Sequence, residues 1–462
     1  MITADQLAVL LPDFLPRQRW YAAGETLPSS VEVIDFAVLR DQAPGMVWAL
    51  ARTPGDHASY QVVVGLRPLA ETERFLEGKG RNLLGDVDTA EGPMLAYDAL
   101  VDPELVLEVF ALAAPGEPAS TVRALNVEQS NTSVVVDERH ILKLFRRVHD
   151  GPNPDAELAD ALGSVGFASV PRAVATWQRG GRDLAVVREF LGGGSDGWHL
   201  ALTSLRDLYD RQRPPAECGG DFAPEARRLG EVTALLHVAL AESLGTEPAD
   251  AAAWAETMRV QRDRYAAQGA LGRVDEVGVA EVEARLAGVG DPGVATRIHG
   301  DYHLGQVLRT DAGWFVLDFE GEPKLPVAER RVPSSALRDV AGMLRSFHYA
   351  SQVGLREHAA VGDPDDPALR ALAAAWEERN VGAFLAGYLG EPAVAALLPA
   401  TESDTAVVLD AFVLAKAVYE VAYEHSHRPE WATIPIAAIE RILAGGGAAA
   451  RPSLADDPFQ EE

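Results

Sequence analysis

The stretch IHGDYHLGQVLRTDAGWFVLDFEGEP, at positions 298–323, constrains this chain more than any other. Asp301 lies in a short polar segment, and Asp318 follows an apolar run 17 positions later. A turn at 311–313 stands between them, so the pattern predicts a loop and then a hairpin, with an acid at each end. Two carboxylates presented in this way are typical of a catalytic site.

Two carboxylates and a side-chain amide suit phosphoryl transfer. Asp301 would orient and deprotonate an attacking hydroxyl, while Asp318 and Gln306 would hold Mg²⁺ on the phosphates of ATP. A metal-dependent hydrolase is an open alternative, because His299, Asp301 and His303 are all ordinary metal ligands. Gln306 and the D-F-E strand after it favour phosphoryl transfer, with His299 bracing the loop.

The pattern H-G-D-x-H-x-x-Q…D-F-E resembles the aminoglycoside-phosphotransferase-like kinases, relatives of the protein kinases. Its longer form, HGDYHLGQVLRT…FVLDFEGEP, resembles the bacterial maltokinases. This resemblance covers nearly the whole chain and implies an α+β, bilobal protein-kinase-like fold with an N-terminal β-rich cap and a mainly helical C-lobe. It also implies phosphorylation of maltose at the anomeric hydroxyl, with ATP and Mg²⁺, which would feed glycogen or α-glucan synthesis.

Charge and composition exclude several classes of partner. The formal net charge of −28 argues against nucleic acid, which needs a basic face. No run of 18 or more apolar residues predicts a membrane span, and the first 20 residues lack the features of a signal peptide. The only cysteine is Cys218, so no internal disulfide is possible. A reducing cytoplasm fits these features, and the resemblance implies small-molecule substrates.

We expect four regions along the chain. The resemblance makes residues 1–90 an N-terminal cap that opens with RQRWYAAG and continues with strands near 31–39, 46–51 and 59–66. Residues 91–191 would form an intermediate region and N-lobe, entered through a mainly helical connection at 90–112. Residues 192–445 would form the helical C-lobe with the catalytic loop and sugar site, and 446–462 a flexible tail.

A hairpin of VVV at 134–136 and ILKLF at 141–145 lies within the expected N-lobe. On a strand, Lys143 points away from its apolar neighbours, which by itself is typical of a solvated face. The resemblance makes it the lysine that holds the nucleotide phosphates. A helix is predicted to start at Asn153-Pro154, and Glu157 in its first turn is the candidate ion-pair partner of Lys143, although a surface glutamate fits equally well.

The remaining nucleotide contacts rest on the resemblance alone. No G-x-G-x-x-G or Walker sequence is present, so the polar segment 128–133, with Ser130 and Ser133, would contact the phosphates. Glu189-Phe190-Leu191 would connect the lobes, with the adenine bonded to its backbone. Glu189 and Leu191 are therefore markers of the adenine site.

A helix predicted from Asp404 to His427 carries hydrogen-bonding and aromatic groups on one side. Such a face suits a sugar, and an interface helix packed on the core fits it as well. The segment AKAVYEVAYEHSHRPEW resembles the sugar-binding helix of maltokinases. The resemblance therefore implies substrate contacts at Lys416, Tyr419, Tyr423 and Arg428, and His303 is a further candidate.

Three alternatives remain open. A kinase for glucosamine or an aminoglycoside would favour an extra carboxylate in the sugar pocket, which Glu420 or Glu424 can supply. The others are the metal-dependent hydrolase and a catalytically inactive sensor of nucleotide or sugar, although the joint presence of Lys143, Asp301, Gln306 and Asp318 argues against a sensor. The resemblance also allows a trehalose-to-maltose isomerase as a partner, and a monomer or dimer.

Overall fold

The computed structural model describes residues 1–21, 28–54, 59–69, 76, 78–125, 130–359 and 366–447. The chain packs as two compact units. The first unit consists of Met1–Glu157 and Pro171–Gly192, and the second of Leu158–Val170 and the chain from Gly193 onward. Most of the expected tail, from 448 onward, lies outside the described residues, as do positions 22–24 of the RQRWYAAG segment.

The first unit contains two antiparallel sheets and the helices α1 (Ala4–Phe14), α2 (Pro103–Ala113) and the start of α3 (Pro154–Ser164). Its strands are β1 (Glu32–Arg40), β2 (Gly45–Arg52), β3 (Ser59–Pro68), β4 (Leu83–Thr89), β5 (Gly92–Asp98), β6 (Val122–Ala124), β7 (Asn131–Val136), β8 (His140–Phe145), β9 (Arg147–Val148), β10 (Ala173–Arg179) and β11 (Arg182–Glu189). One sheet has the order β1-β2-β3-β5-β4, with β9 paired to β3, and the other the order β10-β11-β8-β7-β6.

The strands expected at 31–39, 46–51 and 59–66 are confirmed as β1, β2 and β3, and the hairpin at 134–145 as β7 and β8. The mainly helical connection at 90–112 is wrong in its first half, because 92–98 forms β5 between β3 and β4. Leu95 and Tyr97 are buried on this strand. Their burial between paired strands outweighs the helical character of the sequence that follows, which does become α2.

One apolar core joins both sheets of the first unit to α2. It includes Trp48 and Tyr97 from the larger sheet, Leu142 and Leu184 from the smaller one, and Phe110 from α2. Removing this much aromatic and aliphatic surface from water is the main source of stability for such a unit. The two sheets therefore depend on the same core.

Two buried polar side chains also connect the sheets. Gln61 on β3 is fully buried and accepts a hydrogen bond from Trp48 Nε1 at 2.6 Å. Its amide nitrogen donates to the carbonyl oxygens of Phe145 and Leu184, each at 2.8 Å. Arg146, also buried, lies 2.5 Å from Asp98 and donates to Thr132 Oγ1 at 2.8 Å. These bonds satisfy groups that would be costly to bury unpaired.

The second unit is mainly helical. Its helices are α4 (Gly197–Arg211), α5 (Ala223–Leu244), α6 (Ala251–Ala267), α7 (Glu276–Ala287), α8 (Val327–Arg330), α9 (Leu337–Ala359), α10 (Pro367–Leu389), α11 (Glu402–His427) and α12 (Thr433–Leu443). Its strands are β12 (Ser195–Asp196), β13 (Thr246–Pro248), β14 (Val294–Thr296), β15 (Val307–Thr310) and β16 (Gly313–Val316). They form a sheet of order β12-β15-β16 and the pair β13-β14.

Local sequence signals explain the elements in and around positions 298–323, which we call the catalytic stretch. β15 and β16 form the expected hairpin, with Leu308 opposite Phe315. The helix expected from 404 to 427 is α11, which begins after Thr401, whose hydroxyl accepts the N–H of Asp404. Within the described ranges, none of the helices combines the length and apolarity needed to span a bilayer.

Candidate active site

The loop before β15 is held from below by a buried carboxylate. Asp339, in the first turn of α9, accepts the backbone N–H of His299 at 2.7 Å and that of Gly300 at 2.9 Å. Gly300 has a φ of +81°, a conformation that favours glycine. Asp339 therefore fixes the backbone path of the loop at His299 and Gly300. Asp301 follows directly after Gly300.

His299 joins the two ends of the catalytic stretch. Its Nε2 lies 2.9 Å from the carbonyl oxygen of Leu317, and its Nδ1 accepts the N–H of Asp301 at 3.3 Å. Both ring nitrogens are thus engaged by backbone atoms, with the proton on Nε2. This arrangement agrees with the predicted bracing role and disfavours His299 as a metal ligand.

Asp339 is itself supported by the helices beneath the loop. His237 on α5 places Nε2 3.3 Å from its carboxylate, and the other nitrogen of that ring is 2.9 Å from the hydroxyl of Tyr388. Burial alone would raise the pKa of Asp339, but His237, His299 and the Gly300 N–H outweigh it, so the pKa is lowered. Asp339 is therefore a buried anion that accepts backbone N–H groups.

The two predicted metal ligands lie together. Gln306 Nε2 is 3.5 Å from Asp318 Oδ2, and the backbone of Gln306 accepts the N–H of Leu317 at 2.9 Å. Asp318 has a φ of +59°, which turns the chain sharply where β16 ends. A carboxylate and an amide oxygen are hard donors of the type that Mg²⁺ prefers, so these residues fit the predicted cation.

A lysine from α11 reaches the catalytic loop. Lys416 Nζ lies 3.7 Å from Asp301 Oδ1 and 3.5 Å from Glu322 Oε2. Tyr419, one turn further along α11, donates its hydroxyl to Glu322 Oε1 at 3.0 Å. Burial would lower the pKa of Lys416, but Asp301 and Glu322 outweigh it and the pKa is raised. Lys416 is therefore a charged group between two carboxylates.

The predicted aromatic face of α11 is also present. The rings of Tyr419 and Tyr423 are 6.3 Å apart, and Tyr423 stacks on His427 at 4.3 Å. The ammonium group of Lys324 lies 4.3 Å from the ring centre of Tyr423. These rings continue the polar cluster around Glu322 along one side of the helix.

Arg428 and two glutamates of α11 have structural partners. Arg428 binds Glu424 through two hydrogen bonds of 2.9 and 2.7 Å, and Tyr349 donates to the same carboxylate at 3.2 Å. Glu420 is paired with the buried Arg345 at 2.9 and 2.6 Å. Glu420 and Glu424, the candidate amine-binding carboxylates, are thus engaged by arginines, and the carboxylate beside Lys416 and Asp301 is Glu322.

His303 lies beside Asp301. Its Nδ1 accepts the N–H of Gly305 at 3.0 Å, and its Nε2 is 3.9 Å from Asp301 Oδ2. Burial lowers the pKa of His303, although the negative charge of Asp301 acts in the opposite direction. The neutral ring caps the short helical turn Leu304–Gln306, and Gln306 is the last residue of that turn.

The predicted nucleotide-binding residues belong to the first unit. Lys143 Nζ lies 3.2 Å from Asp155 Oδ2, and Arg188 is 3.0 Å from the other oxygen of that carboxylate. Asp155 has no exposed side-chain surface. The structure thus pairs Lys143 with Asp155, whereas the sequence had suggested Glu157, two positions later on α3. A nucleotide-binding role for Glu157 remains a prediction.

Sequence reasoning missed Asp155 as this partner, although one signal was present. Asn153 Oδ1 accepts the N–H of Asp155 at 2.8 Å, and α3 begins at Pro154, so the predicted helix start is confirmed. An acid in the first turn is common in helices, where it complements the macrodipole. The pattern at the start of α3 therefore does not distinguish an acid that complements the macrodipole from a buried ion-pair partner.

The remaining predicted nucleotide contacts lie on, or directly next to, the strands around Lys143. Ser133 faces Lys143 across the β7–β8 pair, and Ser130 immediately precedes β7. Glu189 ends β11 opposite His140, and Leu191 follows it. Residues 126–129, which include Glu128 and Gln129, lie outside the described residues.

A lysine on a hairpin strand, an Asp and a Gln brought together after a braced loop, and a mainly helical second unit are the features expected of the aminoglycoside-phosphotransferase-like and protein-kinase-like class. The family described as the maltokinase N-terminal cap domain matches residues 14–102. A glucosamine kinase of Streptacidiphilus jiangxiensis is 33% identical over 361 residues, 75% of this chain and 78% of that protein. A second glucosamine kinase, from Mycolicibacterium smegmatis, is 30% identical over 350 residues, 72% of this chain and 83% of that protein.

Solved structures of glucosamine kinases align with nearly the whole of this chain. A glucosamine kinase in crystal form B is 25% identical with a TM-score of 0.68, and the alignment covers 96% of this chain and 100% of that one. A glucosamine kinase in complex with glucosamine, ADP and inorganic phosphate shares the fold at 24% identity and a TM-score of 0.65, over 96% of this chain and 99% of that one. The chain belongs to the family of capped sugar kinases that includes these glucosamine kinases, and the predicted fold class is confirmed.

Proposed function

We propose that this protein transfers the γ-phosphoryl group of ATP to an amino sugar, with glucosamine as the acceptor. The observation that carries the proposal is the position of Glu322, whose carboxylate lies with Lys416 and Tyr419 beside the catalytic-loop residue Asp301. A carboxylate can pair with the ammonium group of an amino sugar. The relatives that share about three quarters of this chain are glucosamine kinases.

The reaction needs no covalent protein intermediate. The acceptor hydroxyl oxygen attacks the γ-phosphorus, the bond from that phosphorus to the β-phosphate bridging oxygen breaks, and ADP leaves. The proton of the hydroxyl passes to Asp301, which Lys416 holds in place at 3.7 Å. Positioning and electrostatic stabilisation then supply most of the rate enhancement.

Residues of the first unit would hold the nucleotide. Lys143, oriented by Asp155, would pair with the phosphates, and Ser130 and Ser133 would contact them from β7. The backbone between Glu189 and Leu191 would bind the adenine, and Glu157 remains a further candidate. Gln306 and Asp318 would hold Mg²⁺, which when bound neutralises the charge on the phosphates.

The acceptor would lie along α11. Glu322 would bind its amine, and Tyr419 would offer a ring face and a hydroxyl. His303 and Lys416 flank Asp301 and would contact acceptor hydroxyls. Tyr423 lies further along the helix, and Arg428 would act indirectly, through its pair with Glu424.

Maltose is the second candidate acceptor. It is favoured by the match of residues 14–102 to the maltokinase cap and by the resemblance of FVLDFEGEP and the α11 segment to maltokinases. In that case the product would be maltose 1-phosphate, and a trehalose-to-maltose isomerase would supply the substrate. A solved glucosamine kinase structure covers 96% of this chain, so the cap by itself does not discriminate between the two acceptors.

The deciding experiment is ADP release from ATP and Mg²⁺ with glucosamine, maltose, an aminoglycoside or no acceptor. We expect release that depends on glucosamine, with a phosphate ester on the sugar detected by phosphorus NMR. The variant Glu322→Gln should raise the KM for glucosamine and leave the KM for ATP within about twofold. Release that depends only on maltose would replace the first candidate with the second.

A further inference from the structure

The segment between Asp318 and α8 carries the acceptor carboxylate in a tight, irregular path. Gly321 has a φ of +73°, and the N–H of Leu325 donates to the carbonyl oxygen of Glu322 at 3.1 Å. Glu322 thus lies in a turn, outside any helix or strand. A side chain on such a turn is only as well placed as the backbone beneath it.

One side chain binds this backbone at three points. Arg330, the last residue of α8, donates through Nε to the carbonyl oxygen of Leu325 at 2.8 Å. Its two terminal nitrogens donate to the carbonyl oxygens of Glu320 at 3.3 Å and Pro323 at 2.9 Å. The three acceptors lie before and after Glu322 in the sequence, so the guanidinium spans the whole turn.

Arg330 also contacts the turn through its aliphatic part. A Cβ added at Gly321 would lie 3.4 Å from the Cβ of Arg330 and 3.6 Å from its Cγ and Cδ. The absence of a side chain at 321 thus lets the arginine lie close against the chain. A planar guanidinium with five donors is suited to holding several carbonyl groups at fixed angles, whereas a lysine ammonium is not.

We infer that Arg330 is a positioning residue for acceptor binding, which fixes the turn 320–325 so that Glu322 meets Lys416, Tyr419 and the acceptor. The inference rests on the proposed function in one respect, namely that Glu322 contacts the acceptor. Each of the three hydrogen bonds described above joins Arg330 to a backbone carbonyl of this turn. We therefore expect Arg330 to affect acceptor binding through the turn that it holds.

The test is a double-mutant cycle with Arg330→Met, Glu322→Gln and the double variant, using full-length protein and whichever acceptor the wild type phosphorylates. Arg330→Met should raise the acceptor KM about tenfold or more, and change the ATP KM by less than about twofold, because hydrogen bonds to a charged group are lost only at the acceptor side. In the double variant the acceptor KM should be close to that of Glu322→Gln alone. Non-additivity of this kind indicates that two residues act through one interaction.

Two further variants separate positioning from general stability. Arg379→Met, which removes a partly buried arginine bonded to Asp221 at 2.9 Å, should lower the melting temperature without changing the acceptor KM. Arg330→Lys keeps the charge and can reach fewer carbonyls, so its acceptor KM should lie between the wild type and Arg330→Met. If Arg330→Met does not fold, the cycle is run with Arg330→Lys.

The possible outcomes are distinct. Additive effects in the cycle, or equal losses for ATP and acceptor, would overturn the inference and make Arg330 a general structural residue. A wild-type preference for maltose would refute the proposed amino-sugar acceptor, but the cycle would still be measured with maltose. Failure of the proposed function and failure of this inference can therefore be told apart.

Discussion

The backbone N–H of His299 donates to the carboxylate of Asp339 at 2.7 Å, across 40 positions of sequence. The same carboxylate holds the N–H of Gly300, and His299 in turn holds Leu317 and Asp301. A single buried anion on α9 thus sets the backbone path of both ends of the catalytic stretch. The positions of Asp301 and Asp318 depend on it.

Replacing Asp339 with Asn should reduce turnover without removing any group that touches substrate. The N–H groups of His299 and Gly300 bond to different oxygens of the carboxylate, and in Asn one of these oxygens is replaced by an NH2 group that cannot accept. One N–H is therefore left unpaired, at a cost of about 1–3 kcal/mol. Loss of precise loop placement should lower kcat by about 10²-fold. Steady-state kinetics and urea unfolding measure the two effects. Asp275→Asn, an exposed N-cap that accepts the N–H of Gly278, is the control and should leave kcat unchanged.

Replacing Asp301 with Asn should lower kcat by about 10²–10⁴-fold, the usual contribution of a general base. The neutral amide keeps the size of the side chain, so the affinity for an unhydrolysable ATP analogue should not change. Acceptor-dependent ADP release and calorimetric titration with that analogue provide the two readouts. Asp311→Asn, in the exposed turn of the neighbouring hairpin, is the matched control. Near-normal turnover in Asp301→Asn would refute its role as the base.

Replacing Lys143 with Met should raise the KM for ATP about 10- to 100-fold and leave the KM for the acceptor unchanged, because one charge-assisted bond to the phosphates is lost. Asp155→Asn should have a similar but smaller effect on ATP, since Lys143 loses its partner at 3.2 Å. Asp155 also pairs with Arg188, so its variant should be less stable as well. Lys79→Met, in the cap, should change neither KM.

Stability should fall in acid through a buried carboxylate of the second unit. Burial alone would raise the pKa of Glu377, but His348 at 2.8 Å and Arg441 at 2.8 Å outweigh it and lower the pKa to about 2. A carboxylate whose pKa is depressed in the folded state stabilises the protein at pH values above its unfolded-state pKa. This stabilisation is lost as the pH falls towards the folded-state pKa. The loss should therefore run from about pH 5 to about pH 2 and amount to roughly 3 kcal/mol.

The variant Glu377→Gln should flatten this part of the stability curve. The measurement is the free energy of urea unfolding at several pH values between about 2 and 6, over which the group titrates. Glu378→Gln, the exposed neighbour on α10, keeps the wild-type slope and serves as control. An unchanged slope in Glu377→Gln would show that other groups cause the acid sensitivity.

The hairpin after Asp301 and the proximity of Gln306 to Asp318 could be predicted, because both depend on residues that are close in the sequence. The catalytic roles of these residues stay predictions. The assignment of Lys143 to the nucleotide phosphates rests on the resemblance alone and stays a prediction, because a lysine on a strand has no chemical signature of its own. The strands of the cap followed from β-branched and aromatic content, and they were confirmed.

Pairings between distant residues could not be predicted. Glu420 and Glu424 lie on the same helix as the aromatic rings, α11. In the structure, Arg345 binds Glu420 and Tyr349 donates to Glu424, and each partner is about 75 positions away in the sequence. Glu322 was present in the quoted motif, yet its contact with Lys416 depends on how α11 packs against the catalytic loop. Asp155 was similar, because burial decides whether an acid in a first turn is a cap or an ion-pair partner.

The amide of Gln61 has a consequence for how such enzymes can be recombined. It lies in the cap but serves two carbonyl groups on the strands beside Lys143. Consider a chimera that joins the first 102 residues of one parent to the strands around Lys143 of another. In it, the Gln61 amide would have to bond to carbonyl groups from a different parent. Cap and hairpin should therefore be inherited as a pair, and a crossover between them should be less well tolerated than one that keeps Met1–Glu157 from a single parent.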